Sequence, residues 1–206
     1  DHRDLHKEYR RQRQMCIRDS VSIDADCRRL VETALDRFSQ VDTLVNNAGV
    51  SGSDPDQLSI AIWDQQMSIN AKGVFLGMRS VLPIMKEARS GSIINISSIA
   101  AKRDPLFLPA YAAAKNALLS LTRLLAKDLG PHNINVNAIC PGPFATPLNE
   151  ILLQDPPRAR EMIAKVPMDR WGDPTEIATA VLYFAAEASS YTTGSTLVID
   201  GGYTAQ

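Results

Sequence analysis

Tyr111 and Lys115 stand four residues apart in Tyr111-Ala112-Ala113-Ala114-Lys115. On a helix that spacing puts the phenol and the ammonium on one face, a turn apart. A free tyrosine titrates near ~10, and a cation held beside it favours the phenolate and lowers that value. Such a tyrosine can give a proton to a carbonyl, or take one from an alcohol, near neutral pH. Alone the pair is weak, because most such pairs are surface contacts worth little. Ser98 strengthens it. Ser98 closes the apolar run SIINIS, thirteen residues before Tyr111, where a hydroxyl could bond the same substrate oxygen. Asn70 lies inside an otherwise apolar helical stretch, SINAKGVFLG. Asparagine is poor in helix interiors, so a local notch with a backbone carbonyl turned outward to a water is expected there. The candidate catalytic set is Asn70, Ser98, Tyr111 and Lys115.

The elements that must hold this set alternate along the chain. Residues 26–38 carry a helical apolar stripe: Leu30, Val31, Ala34, Leu35 and Phe38. Thr43-Leu44-Val45 reads as a short buried strand. Residues 60–89 read as one long helix, 92–97 as a strand and 109–129 as a second long helix. Gly130-Pro131 is expected to end that helix, with glycine as the left-handed residue. Residues 135–139 read as a third strand and 148–166 as short helices in a long insertion. Asp173-Pro174 is a helix start, and 195–199 is a last strand. This alternation predicts an α/β fold with a doubly wound parallel sheet and ligands at the carboxyl ends of its strands. No repeat or second domain is visible.

The pattern resembles the short-chain dehydrogenases/reductases, near the bacterial type that includes 3-oxoacyl-acyl-carrier-protein reductases, glucose dehydrogenases and gluconate 5-dehydrogenases. The resemblance runs from Val21 to about Thr204. In order it comprises Asn46-Asn47-Ala48-Gly49, Asn70, Asn95-Ile96-Ser97-Ser98, Tyr111 with Lys115, Asn137-Ala138-Ile139-Cys140-Pro141-Gly142 with Thr146, and Asp200-Gly201-Gly202. Each motif is weak, but six in order are highly specific. The resemblance implies a Rossmann-like fold and an NAD- or NADP-dependent oxidoreductase interconverting a carbonyl and a secondary alcohol. It implies Tyr111 as acid/base, Ser98 orienting the carbonyl, and Lys115 on the nicotinamide ribose. It gives Asn70 a relay water held by its main chain. Asn46, Ala48 and Gly49 would line the adenine-ribose side. Ile96, Pro141, Gly142, Phe144 and Thr146 would border the cofactor's nicotinamide end. Residues from about 147 to 168 would form a substrate lid. There Arg158 and Arg160 could meet an anion, although a solvated face is the plainer reading. Residues 144–149 and 170–172 look slightly more like gluconate 5-dehydrogenase relatives. Trp171 is expected in the core and His132 at the surface near a helix end. Pairing of two copies through helices 60–89 and 110–129, as a homodimer or homotetramer, is also implied.

The family's opening strand, TGxxxGxG turn and helix, which set the pyrophosphate on a helix N-terminus, have no counterpart in this sequence. By resemblance two β-α units and most of a third strand would precede Val21. Residues 1–20 hold six of the 22 Lys and Arg residues, whereas from Val21 onward 16 basic residues face 19 acidic ones. A basic arm or a poorly ordered tail are the ordinary readings of such a stretch. However, Gln14-Met15-Cys16-Ile17-Arg18-Asp19-Ser20 can be encoded as CAGATGTGTATAAGAGACAGC, which contains a string resembling the transposon end used to tag DNA libraries. Residues 1–20 are therefore expected to be translated adaptor, and 21–206 the C-terminal part of one Rossmann-type domain. The 206 residues by themselves are then expected to be inactive and poorly folded. The signal for NAD against NADP is expected upstream of Val21.

A formal net charge of −1 gives no field to recruit nucleic acid or an anionic membrane. Three scattered cysteines suggest neither a disulfide framework nor a metal site. The charged start lacks an apolar leader region, so the cytoplasm is the expected location. A non-catalytic nucleotide- or partner-binding relative would be expected to lack Ser98, Tyr111 or Lys115. A serine hydrolase would need a GxSxG elbow, which is absent from the sequence.

Overall fold

The computed structural model describes residues 20–51, 56–103 and 107–205. The adaptor expectation concerns residues 1–20 and so falls, Ser20 apart, outside the described residues. In chain order the elements are α1 (Asp24–Phe38), β1 (Thr43–Asn46), α2 (Ile60–Gln66), α3 (Gly73–Ala88), β2 (Gly91–Ile96), α4 (Pro109–Leu129), β3 (Ile134–Pro141), α5 (Glu150–Leu153), α6 (Pro156–Ile163), α7 (Pro174–Ala185) and β4 (Thr196–Ile199). The fold is α/β and Rossmann-like. Among the described residues the sheet has the order β1-β2-β3-β4, and every pairing is parallel.

Parallel sheets are covered on both faces, and their strands read as unbroken apolar runs. Here Ile93 and Ile94, adjacent in β2, show how the covering works. Side chains alternate along a strand, so Ile93 enters a core with Met78, Val81 and Met85 of α3 and Leu118 and Leu129 of α4. Ile94 enters a second core with Ile139, Ala180 and Phe184 of α7. Both isoleucines are fully buried, each a contribution of about 1.5–3 kcal/mol.

Three departures from the sequence reading have local causes. The helix expected over 60–89 is interrupted by a wide π turn at Met67–Lys72, where the Gly73 N–H reaches back five residues to the Ser68 carbonyl. Asn70 sits in that turn; such bulges concentrate at functional sites. Gly130 is not the left-handed residue after α4. It keeps right-handed helical angles and begins a short tight turn, Gly130–His132, and Asn133 takes the left-handed conformation with φ 59°. Pro131 suits the second position of that turn, so the reversal falls on the next residue that tolerates positive φ. Trp171 is half-buried, packed beside Met162, Val166 and Tyr203, and it also faces the cavity described below.

The start of α7 is as expected. Asp173 caps it, accepting from Thr175 N at 2.8 Å, and Glu176 completes a capping box. Glu176 also grips Arg170 through two bonds of 2.8 Å. That contact, with the Asp173 amide, holds its carboxyl down to about 2. Among the described residues no helix is long and apolar enough to cross a membrane.

Candidate active site

Strand register brings Asn46 level with Asn95, Ile96 level with Ile139, and Pro141 level with Ile199. The carboxyl ends of the strands thus share one edge, where ligands collect in open α/β sheets. A cavity of about 1040 Å³ opens there. Ala48, Gly49, Ile96, Ser98, Tyr111, Lys115, Pro141, Gly142, Phe144 and Thr146 all line it.

Lys115 is 4% exposed. Its Nζ donates to the Ile96 carbonyl at 2.9 Å and lies 5.6 Å from the centroid of the Tyr111 ring, within cation–π range. Burial brings its pKa down to about 8, and neighbouring Cys140 pulls the other way. An ammonium has three donors, so this one is well supplied for hydroxyl acceptors brought into the cavity. Ser98 caps the short turn Ile99–Ala101, its Oγ accepting from Ala100 N at 3.1 Å. With a lone pair spent on that amide, the hydroxyl proton is the part left to offer a substrate oxygen.

Ser97, read from sequence as the end of a strand, has a positioning role. Its Oγ donates to the Lys115 carbonyl at 2.8 Å and is buried, which stitches the end of β2 to α4 at the lysine itself. Burial pushes the adjacent Cys140 thiol up. A serine between an apolar run and the candidate Ser98 was the available signal for this contact, and it does not distinguish an inward from an outward hydroxyl.

Two candidates stand off the cavity wall. The Asn46 side chain turns into the sheet, where Nδ2 donates to Asn95 Oδ1 at 2.8 Å and Asn95 Nδ2 donates to Thr122 Oγ1 at 3.0 Å. It fits because Gly77 of α3 has no side chain: a Cβ there would lie 2.7 Å from Asn46 Oδ1. Strand alternation gives the wall position to Asn47 instead.

Asn70 stands behind Gly49. Its side chain is fully buried. Nδ2 donates to the Val50 carbonyl at 2.8 Å, Val50 N donates to Oδ1 at 3.0 Å, and Nδ2 also bonds Gln66 Oε1. The side chain of Asn70 therefore pins the loop after β1. A Cβ on Gly49 would meet Asn70 Oδ1 at 2.9 Å and Lys115 Nζ at 3.4 Å, so glycine keeps this corner open for close approach. Asn70→Ala, which removes both bonds to Val50, is expected to cost about 1–3 kcal/mol of stability, measurable by thermal denaturation.

A parallel sheet whose strands end at one cavity lined by a serine, a tyrosine and a buried lysine is a Rossmann-like arrangement. Comparison with known proteins gives the family. The family model described as Enoyl-(Acyl carrier protein) reductase matches residues 2–204. The 2-dehydro-3-deoxy-D-gluconate 5-dehydrogenase of Dickeya dadantii is 40% identical over 179 residues, 86% of this chain and 71% of that protein. The cyclopentanol dehydrogenase of a Comamonas species is 40% identical over 176 residues, 85% of this chain and 70% of that protein. Among solved structures, a gluconate 5-dehydrogenase from Burkholderia cenocepacia in complex with NADP and tartrate superposes with a TM-score of 0.86 at 32% identity, covering 91% of this chain and 74% of that one. This chain belongs to the short-chain dehydrogenase/reductase family.

Proposed function

We propose that this protein interconverts a carbonyl and a secondary alcohol with NAD or NADP, using Tyr111 as acid/base. One observation carries the reading: Ser98, Tyr111 and Lys115 line one cavity, with the Lys115 ammonium 5.6 Å from the Tyr111 ring. Gly49 leaves room for close approach of a dinucleotide, and the buried Lys115 Nζ would donate to the hydroxyls of its nicotinamide ribose. When bound, the dinucleotide supplies or accepts the hydride.

The chain's own residues do the rest. Ser98 donates to the substrate oxygen and holds the carbonyl against Tyr111. In reduction the Tyr111 hydroxyl gives its proton to that oxygen, and in oxidation the phenolate takes it back. Lys115 stabilises the phenolate between these steps. The Asn70 main chain holds a water that refills the proton. Ala48 and Gly49 would line the adenine-ribose side, Ile96 would line the cofactor, and Pro141, Gly142, Phe144 and Thr146 would border the nicotinamide. Thr146 would bond the carboxamide and so set which ring face is presented. The experiment is reduced-dinucleotide oxidation with a panel of ketones, run with NADH and NADPH in parallel; no consumption with either would overturn the reading.

Three further points belong to the same reading. Exposed Trp63 on α2, Phe75 on α3 and Leu124 on α4 favour pairing of copies through these helices, as a dimer or tetramer. Among the described residues no glycine-rich turn precedes β1, and β1 is an edge strand with Val45 exposed. The 206 residues alone are thus expected to hold dinucleotide weakly and to be inactive. The check is to assay them beside the complete gene product; full turnover by the 206-residue chain would contradict this. The adaptor origin of residues 1–20 is tested by their codons, and unrelated codons there would overturn it.

A further inference from the structure

We infer that the substrate is a neutral, apolar ketone or secondary alcohol, such as an alicyclic one, and not a sugar acid. The inference rests on the oxidoreductase reading above and concerns the lid side of the same cavity. The lid contributes Leu148, Ile151, Leu152 and Met162, and Trp171 closes the wall. Ile151 is 71% exposed and Leu148 45% exposed. Apolar side chains left open around a cavity are what a hydrophobic ligand covers.

The charged residues of the lid point the same way. Two lid cations line the cavity, Arg158 and Lys165. Each is held by a lid carboxylate that also lines it: Arg158 by Asp155 at 3.3 Å and Lys165 by Glu161 at 3.2 Å. Arg160 turns back to the Pro156 carbonyl of its own helix. The third cation on the wall, Lys115, lies at the cofactor end. The Asn149 amide donates to the Phe144 carbonyl at 2.8 Å. A substrate carboxylate at either cation therefore competes with the carboxylate already paired there. A neutral ring meets no such competition.

The pairing also supplies the test. Asp155 caps α6 by accepting from Arg158 N, and asparagine caps as well as aspartate. D155N with E161Q thus removes the two carboxylate charges paired with the lid cations and leaves the cap in place. Saturation-transfer NMR on the full-length gene product would follow cyclopentanone, D-gluconate and reduced dinucleotide as separate probes. Cyclopentanone is expected to bind at least about tenfold more tightly than gluconate. The double variant is expected to gain about two- to fivefold for gluconate. I151E, at an exposed position, is expected to lose the ketone signal while keeping the dinucleotide signal.

Gluconate binding with no ketone signal, or neither probe binding while dinucleotide binds, would overturn the substrate class and leave the oxidoreductase reading standing. Loss of the dinucleotide signal itself would bring down that reading, and the inference with it.

Discussion

Tyr111→Phe in the gene product is expected to lower kcat by about 10²–10⁴-fold, the usual range for one positioned acid/base group, with dinucleotide affinity nearly unchanged. The phenyl ring keeps its place beside Lys115 Nζ, since that contact is made to the ring and not to the hydroxyl. What disappears is the proton source for the substrate oxygen. If Tyr111 were only part of the cavity wall, the substitution would raise KM and spare kcat. Steady-state kinetics with dinucleotide binding measured separately distinguish the two cases.

Lys115→Met should abolish turnover and yet stabilise the dinucleotide-free protein at neutral pH. The lysine is buried, with its pKa lowered to about 8 from 10.5 by loss of solvent. A group whose folded pKa is depressed in this way carries its charged form into the protein at a cost. Folding at neutral pH bears that cost in full, on the order of 3 kcal/mol. Methionine fills a similar volume without charge but gives up the bond to the Ile96 carbonyl, so a net gain of about 1–2 kcal/mol is expected.

The sign in pH follows from proton counting. Between pH 8 and 10.5 the unfolded chain holds the lysine proton that the folded chain has released, so wild-type stability rises there with pH. The advantage of K115M should be greatest below pH 8 and shrink as pH rises toward 10.5. Thermal melts of both proteins across that window read it directly. A destabilised K115M at neutral pH would show that the lysine contributes more as a packing and bonding group than it costs as a buried charge.

Much of the site was legible in the sequence because short-range spacing dictates it. Tyr111 and Lys115 share a face for the same reason that any i, i+4 pair on a helix does, and Ser98 lies at the cavity because its strand ends there. The wall residues from Pro141 to Thr146 follow β3 directly. What the sequence leaves open depends on which way a side chain turns after its element is placed. Asn46 and Asn47 are chemically identical neighbours, and only the pleat of β1 sends the first to Asn95 and the second to the cavity. Asn70 was singled out for the right local reason, a break in helical packing, but its side-chain bonds to Val50 span twenty residues and have no periodic signature. The reversal at Asn133, not Gly130, shows a residue preference displaced by the proline that follows the glycine. The pairing of the lid's charges has the i, i+3 and i, i+4 spacing of ordinary helix pairs, so it was visible in principle; that the same residues line the cavity was not.

Hydride exchange between a dinucleotide and a carbonyl carbon at this cavity can be followed by incubating the gene product with reduced dinucleotide deuterated at the transferring carbon and a mixture of cyclic and sugar ketones. The expected product is a secondary alcohol with deuterium on its carbinol carbon, matched by equal loss of label from the cofactor. Oxidation of the cofactor without deuterated alcohol, or no oxidation with any ketone, would contradict it.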